Sequence, residues 1–337
     1  MTAPEGVRSA EPPIGVGLVG SSATSRFVCE CLSLRSDLRL VATWTDNHQT
    51  GETPPFLTGL TPADCRRYMT PLDVMKAPEV RVIHFASGSP TDWMIEALAR
   101  AKSILVEAPQ SLSVEELERL ANAASDCEQV AAIYEPRRWD GDFQRARSAL
   151  KSGRLGRLLR LRYAVHDCRL PNETYPQGVA KELGFPVLDQ MLQLIEPLSL
   201  MVPSLSVPFV WRHFPSVRDH SEGFVASFEF AEGVSAILEI QTRSLLGFRS
   251  GWMIEGTDGA YRNGRLYTQT SDGEIVDEPV SAPPVSSDPF FDALTASLNR
   301  LASDLPTVQG AVRVAALTCD MPTEVHLPHC ITLPASN

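Results

Sequence analysis

The sequence predicts an α/β protein: a doubly wound parallel sheet over residues 14–138, then an α+β part over 139–337 built on a large, mostly antiparallel sheet. Three observations carry this. Up to residue 138 short apolar runs alternate with amphipathic stretches of helical period, the pattern of parallel strands joined by crossover helices. Beyond Gly156 apolar strands follow one another with no helix between them, which suits an antiparallel sheet. The length, 337 residues, allows two domains of about 150 residues, each burying its own core.

Residues 1–13 form a polar tail. Ile14 to Gly20 then reads as a buried strand, and Ala23 to Ser36 as a helix with Phe27/Cys31 and Val28/Leu32 four apart. A second strand, Leu38 to Thr45, ends in Asp46, and Gly51 to Pro62 reads as loop. Val80 to Ala86, Asp92 to Ala101, Ser103 to Glu107, Ser113 to Ser125 and Val130 to Tyr134 alternate strand and helix. Ser113 and Glu116 form a capping box ahead of Leu117 and Leu120, which fixes one helix start. In the second part the strands are Leu158 to His166, Leu205 to Phe214, Phe224 to Phe230, Val234 to Thr242 and Trp252 to Gly256, with a tight hairpin at Asn263-Gly264. Helices over Phe290 to Asp304 and Thr307 to Asp320 close the chain, and Met191, Leu192, Leu194 and Leu198 read as core.

Hydrophobic residues make up 43% and charged residues 21%, the balance of a chain that packs. A net charge of -11 argues against a broad nucleic-acid surface. The 7 cysteines are scattered without a C-x-x-C pair, as expected of reduced cytoplasmic thiols. The first residues lack the apolar core of about 7 to 15 residues that a signal peptide needs, and no apolar run approaches the ~20 residues that span a bilayer. A soluble, cytoplasmic protein is expected. His326, His329 and Cys330, with Cys319 upstream, mimic a metal cluster, but they lack a carboxylate at suitable spacing and read as a structural tail, so no metal site is expected.

The first candidate for chemistry is the turn Gly20-Ser21-Ser22-Ala23-Thr24-Ser25 between the first strand and the first helix, where a dinucleotide-binding (Rossmann-type) turn would lie. If Gly20 is the tight-turn glycine of G-x-G-x-x-G, Ser22 stands where backbone must approach the pyrophosphate and Ser25 where the helix packs. Free N–H groups at the helix start favour a phosphate, and Ser21, Ser22 and Thr24 could add hydroxyl donors. The bland alternative is a strand-to-helix turn with serine as its cap and no ligand. Asp46, 26 residues after Gly20, suits the ribose hydroxyls of NAD and would repel the 2′-phosphate of NADP. It equally suits a turn. Arg137, Arg138 and Trp139 follow the last strand of the parallel sheet, where an arginine could clamp a carboxylate or phosphate and equally suits a domain interface.

Val16 to Gly20, Val80-Arg-Val-Ile-His-Phe-Ala-Ser-Gly-Ser89, Ser103-Ile-Leu-Val-Glu-Ala-Pro109, Arg137-Arg-Trp139 with Lys151-Ser-Gly-Arg-Leu-Gly156, Glu182-Leu-Gly-Phe-Pro-Val-Leu-Asp189 and Trp252 to Gly259 come in the order of one family. The chain resembles the glucose-fructose oxidoreductase and inositol dehydrogenase (Gfo/Idh/MocA) family over nearly its whole length. The resemblance implies NAD binding through Gly20, Ser21, Ser22, Thr24, Asp46, Ser87, Glu107 and Pro109. It also exposes departures. The family's E-K-P triplet is Glu107-Ala108-Pro109 here, the histidine of its D-x-G-x-H stretch falls on Pro186 and the aspartate on Glu182, and the histidine of its loop after the third long strand falls on Asp92. Neither Ala nor Pro moves a proton, and general acid–base help is worth about 10² to 10⁴ in rate. Pro186 also lacks the N–H that would carry a helix through from Glu182, so a helix restart is expected at Pro186.

Substitutes within reach are Lys181, Glu182, Tyr175, Arg138 and Asp189, with His166-Asp167 less apt because adjacent strand residues face opposite ways. Three readings stay open. The first is an oxidoreductase-family enzyme acting on a polar small molecule by altered or non-redox chemistry, with NAD weakly held or absent. The others are a catalytically silent NAD- or metabolite-binding regulatory protein, and an NAD-dependent dehydrogenase with relocated acid–base groups. Since helices would cover one face of the antiparallel sheet and leave the other for self-association, a homo-oligomer is also expected.

Overall fold

The computed structural model describes residues 12–45, 57–107, 109–166, 183–195, 223–241 and 251–319. The chain divides into two compact units, one of residues 1–136 with 285–312 and one of 137–284 with 313–337. The second boundary differs from the expectation that everything beyond 138 forms one domain. The physical reason is that residues 285–312 return to pack on the first sheet.

The first unit is built on a six-stranded sheet in the order β3-β2-β1-β4-β5-β6, made of β1 (Ile14–Val19), β2 (Leu38–Trp44), β3 (Arg66–Arg67), β4 (Val82–Phe85), β5 (Ser103–Val106) and β6 (Ala131–Ile133). Every pairing is parallel. All residues of β1, β4 and β5 are buried, as a sheet covered on both faces requires. The covering helices are α1 (Ala23–Ser33), α2 (Pro71–Lys76), α3 (Thr91–Ala99) and α4 (Val114–Asp126). In α1 the inward face is Ser25, Val28, Cys29 and Leu32, at helical spacing. The capping box starts α4: Ser113 Oγ accepts from Glu116 N at 3.1 Å and Glu116 Oε2 from Ser113 N at 2.8 Å. α3 ends earlier than the sequence predicts, because Ala101 takes φ 58 and stops it.

After the second unit the chain returns as α7 (Pro289–Leu298). This helix stops well short of Asp304 because Arg300 takes φ 58 and Leu301 N turns back to Ala296 O at 2.9 Å. Phe290 and Phe291 pack on Tyr134 with ring centroids 4.9 and 6.3 Å away. Past the helix, Ile133 N donates to Pro306 O at 2.9 Å and Ala132 bridges Thr307. This covers β6, which would otherwise be an open edge. Arg35 binds Asp37 and Asp292, at 2.8 and 2.7 Å. The last helix among the described residues is α8 (Val308–Cys319).

The second unit holds a seven-stranded mixed sheet, β13-β12-β11-β10-β7-β9-β8. Its strands are β7 (Leu158–His166), β8 (Gly223–Glu229), β9 (Ser235–Gln241), β10 (Gly251–Gly256), β11 (Gly259–Arg262), β12 (Arg265–Gln269) and β13 (Ile275–Pro279). Only β7 and β9 run parallel; the other neighbours are antiparallel. Asn263 and Gly264, at φ 51 and 77, close the β11–β12 hairpin as their pairing suggests. Leu161, Tyr163, Leu238, Ile240, Trp252 and Ile254 are buried on one face, against α5 (Gly141–Lys151) and α6 (Gly184–Ile195). Asp142 of α5 accepts from Trp252 N at 2.8 Å and from the Tyr261 hydroxyl at 2.9 Å. α6 is buried nearly all round, Met191, Leu192 and Leu194 included. It begins at Gly184, two residues before the restart that the sequence predicts at Pro186. Pro186 stands in the first turn, whose N–H groups have no intrahelical acceptor, so the proline costs the helix nothing. Leu205 to Phe214, Leu198, His326, His329 and Cys330 lie outside the described residues.

Candidate functional site: a serine, histidine and glutamate cluster under the first turn

The site is set by strand order. β1 and β4 are neighbours whose connections leave in opposite directions along the sheet, the switch point at which open α/β sheets bind ligands beyond their strand ends. Gly20 leaves β1 there. Its N–H donates to Trp44 O at 2.9 Å and its φ is 91. A Cβ at this position would lie 2.9 Å from the Ala86 Cβ that follows β4. Only glycine makes this turn without displacing its neighbour.

Ser22 is the N-cap of α1, in an extended conformation (φ -155, ψ 172), and its Oγ accepts from Ser25 N at 2.8 Å. The same hydroxyl donates to Glu107 Oε2 at 2.7 Å. Ser25 Oγ donates to that oxygen at 3.0 Å, and His84 Nε2 lies 3.1 Å from it. Three groups from β1's turn, α1 and β4 thus converge on one carboxylate oxygen at the end of β5. Ser22 is half-buried and the rest is enclosed: Ser25 is 0% exposed, His84 1%, and the Glu107 side chain 5%.

His84 Nδ1 is buried with no hydrogen-bond partner, so the ring meets the cluster through Nε2 alone. Burial opposes ionisation of Glu107, but the bonds from His84, Ser22 and Ser25 outweigh it and hold the carboxyl below the usual glutamate range. The cluster is therefore an anion with Ser22, Ser25 and His84 gathered on one of its oxygens. It is not a nucleophile relay: Ser25 and Glu107 both meet Nε2, whereas a Ser-His-Asp relay uses opposite ring nitrogens.

This corrects the reading of Ser22. Its side chain does not offer a hydroxyl to a phosphate, because its single proton goes to Glu107, and it is directed at the cluster instead of crowding the turn. What α1 leaves for an anion is its backbone: the first-turn N–H groups of Ala23 and Thr24 have no intrahelical acceptor, and Ser21 and Ala23 are exposed. These residues fit a pyrophosphate. Ser87 is exposed in the turn beside Ala86, and Pro109, buried, opens a short 3-10 turn after Glu107. Gly20, Ser22, Ser87, Glu107 and Pro109 thus gather at the ends of β1, β4 and β5. Asp46 and Ala108 lie outside the described residues. Asp92 is exposed in the first turn of α3 and paired with Arg119 at 2.7 Å.

In the second unit Arg138 and Asp189 meet. Nε and Nη2 of Arg138 donate to Oδ2 and Oδ1 of Asp189 at 2.6 and 2.7 Å, both side chains being under a tenth exposed. The fork offered in sequence to a substrate carboxylate is held by a carboxylate of the chain itself. Gln190 next in line accepts from Trp252 Nε1 at 3.0 Å. His166 pairs with Glu239 of β9 at 2.9 Å. Tyr175, Lys181, Glu182 and Asp167 lie outside the described residues. Sequence reasoning missed His84 and Glu239. The signal for His84 was there: a lone polar residue inside an apolar strand has to find a buried partner.

No family model matches the chain. Over 158 residues it is 28% identical to an uncharacterized oxidoreductase of Schizosaccharomyces pombe, 41% of this chain and 43% of that protein. A second uncharacterized oxidoreductase of that organism is 29% identical over 108 residues, 29% of each chain. The chain spans less than half the length of these curated relatives. Among solved structures, an NAD-binding protein from Listeria innocua superposes with a TM-score of 0.73 at 18% identity, over 91% of this chain and 95% of that one. A provisionally named myo-inositol dehydrogenase from Sinorhizobium meliloti gives 0.69 at 18%, with the same coverage. The fold is that of NAD-binding oxidoreductases. Both halves of it, the parallel six-stranded sheet and the mixed sheet, are present in this chain.

Proposed function

We propose that this protein binds NAD at the β1–α1 turn and acts on a polar small molecule by chemistry other than simple oxidation of a sugar or polyol. The observation that supports it most is the turn itself: Gly20 at φ 91 against Ala86, with the exposed start of α1 at Ser21 and Ala23 beyond it. Gly20, Ser21, Ala23 and Thr24 would hold the pyrophosphate, and Asp46 the ribose hydroxyls, favouring NAD over NADP. NAD, when bound, supplies a hydride acceptor. The chain's own contribution would then be to take up a hydroxyl proton, and Ala108 and Pro186 cannot. Lys181, Glu182 and Tyr175 are the candidates left for that role.

A second reading, a catalytically silent NAD- or metabolite-binding regulator, is favoured by one observation. Two of the five candidate catalytic groups, Arg138 and Asp189, are spent on each other.

The test begins with thermal shift against NAD and NADP; a ligand at about 100 times its Kd stabilises a fold by about 2.7 kcal/mol. A panel of polyols and sugars is then assayed for NADH. We expect a shift with NAD and little or no NADH. Rapid NADH formation from a simple polyol would overturn the altered chemistry, and no shift with either nucleotide would overturn the cofactor.

A further inference from the structure

We propose that Glu107 is a positioning residue for the nucleotide-binding turn, acting through Ser22, and that this bond does in this chain what a second turn glycine does elsewhere. The inference rests on the reading of the turn as an NAD site. A side chain at position 22 has to go somewhere. Here it is drawn inward by a 2.7 Å bond to Glu107 Oε2 while also capping α1 through Ser25 N. The carboxylate is itself fixed by Ser25 at 3.0 Å and His84 at 3.1 Å, both buried. Turn, helix start, β4 and β5 are tied at one oxygen, so the first-turn N–H groups of Ala23 and Thr24 are held in place before any ligand arrives. Ser25, the third position of the motif, adds its hydroxyl as the second arm of the same clasp.

Serine and aspartate cap helices about equally well, which separates the clasp from the cap. Ser22→Asp keeps an acceptor for Ser25 N but removes the donor and sets a second carboxylate against Glu107. Glu107→Gln in the same chain removes that repulsion and offers an amide donor to the new aspartate. Ser22→Thr keeps both bonds. Two measurements are made on each full-length variant: hydrogen–deuterium exchange of the segment 20–26 without ligand, and NAD affinity by calorimetry.

The expected result is wild-type behaviour in Ser22→Thr. In Ser22→Asp exchange should be at least about tenfold faster over 20–26, with NAD affinity at least about tenfold weaker. Most of both should be recovered in Ser22→Asp/Glu107→Gln. Unchanged exchange in Ser22→Asp, or no recovery in the double variant, overturns the proposal. A wild-type protein that binds no NAD overturns the cofactor reading instead, and the exchange measurement still decides whether Glu107 fastens the turn.

Discussion

Arg138 and Asp189, 51 residues apart, face each other fork to fork at 2.6 and 2.7 Å in the interior of the second unit. Such a pair does little for stability while intact, but losing one member strands the other charge in a low-dielectric interior. Asp189→Asn or Arg138→Met should cost about 3–5 kcal/mol each. The joint replacement by two apolar residues should cost clearly less than the sum of the two single changes. Urea denaturation of the three variants checks this, and additive losses would refute it.

Glu107 gives stability a defined acid limb. Its native pKa lies below the ordinary value of 4.5, so the folded state favours the ionised form. A depressed carboxyl contributes fully above the unfolded value and loses that contribution as pH falls through the native one. The contribution should therefore be whole at neutral pH and fade below about pH 4.5. Denaturation midpoints of wild type and Glu107→Gln, followed from about pH 7 to about pH 3, should differ most at the upper end and converge at the lower. A gap that stays constant would count against it.

Gly20→Ala should both destabilise and uncouple. Its Cβ would meet Ala86 at 2.9 Å with φ at 91, a conformation that costs non-glycine residues about 1–3 kcal/mol. A fall in melting temperature with loss of the NAD-induced shift is the expected outcome. A variant as stable as wild type would show that the turn takes another conformation.

Self-association is the remaining expectation. On the sheet of the second unit, Arg160, Arg162, Ile237, Glu239 and Met253 share the face opposite the buried one. Arg162 and His166 are joined there through Glu239, at 2.7 and 2.9 Å. A homo-oligomer using this face should dissociate on Ile237→Asp, read by light scattering at micromolar concentration. A monomeric wild type would end the proposal.

How far the sequence could be read depended on whether a feature was local. The Ser113–Glu116 box and the Asn263-Gly264 turn are complete within four residues, and both stand where expected. α2 was missed because six residues show hardly more than one turn of periodicity, although Thr70 caps it. β13 was missed because all five of its residues are exposed, leaving no apolar alternation to see. At the site, Gly20 was legible since its requirement is conformational. The inward course of Ser22 was not, since Glu107 lies 85 residues away, and Arg138 could not be matched to Asp189 before the fold joined them.

The return of residues 285–312 to the first unit has a consequence for biosynthesis. When the ribosome has delivered residue 136, β6 still lacks the cover of Pro306 and Thr307, and Tyr134 lacks Phe290 and Phe291. The nascent sheet must wait with an unpaired edge and an uncovered ring while residues 137–284 emerge. Such an edge invites pairing with another chain. A stretch translated about 150 residues later thus completes the first sheet begun, and a truncation shortly before residue 285 would leave that sheet without its seal.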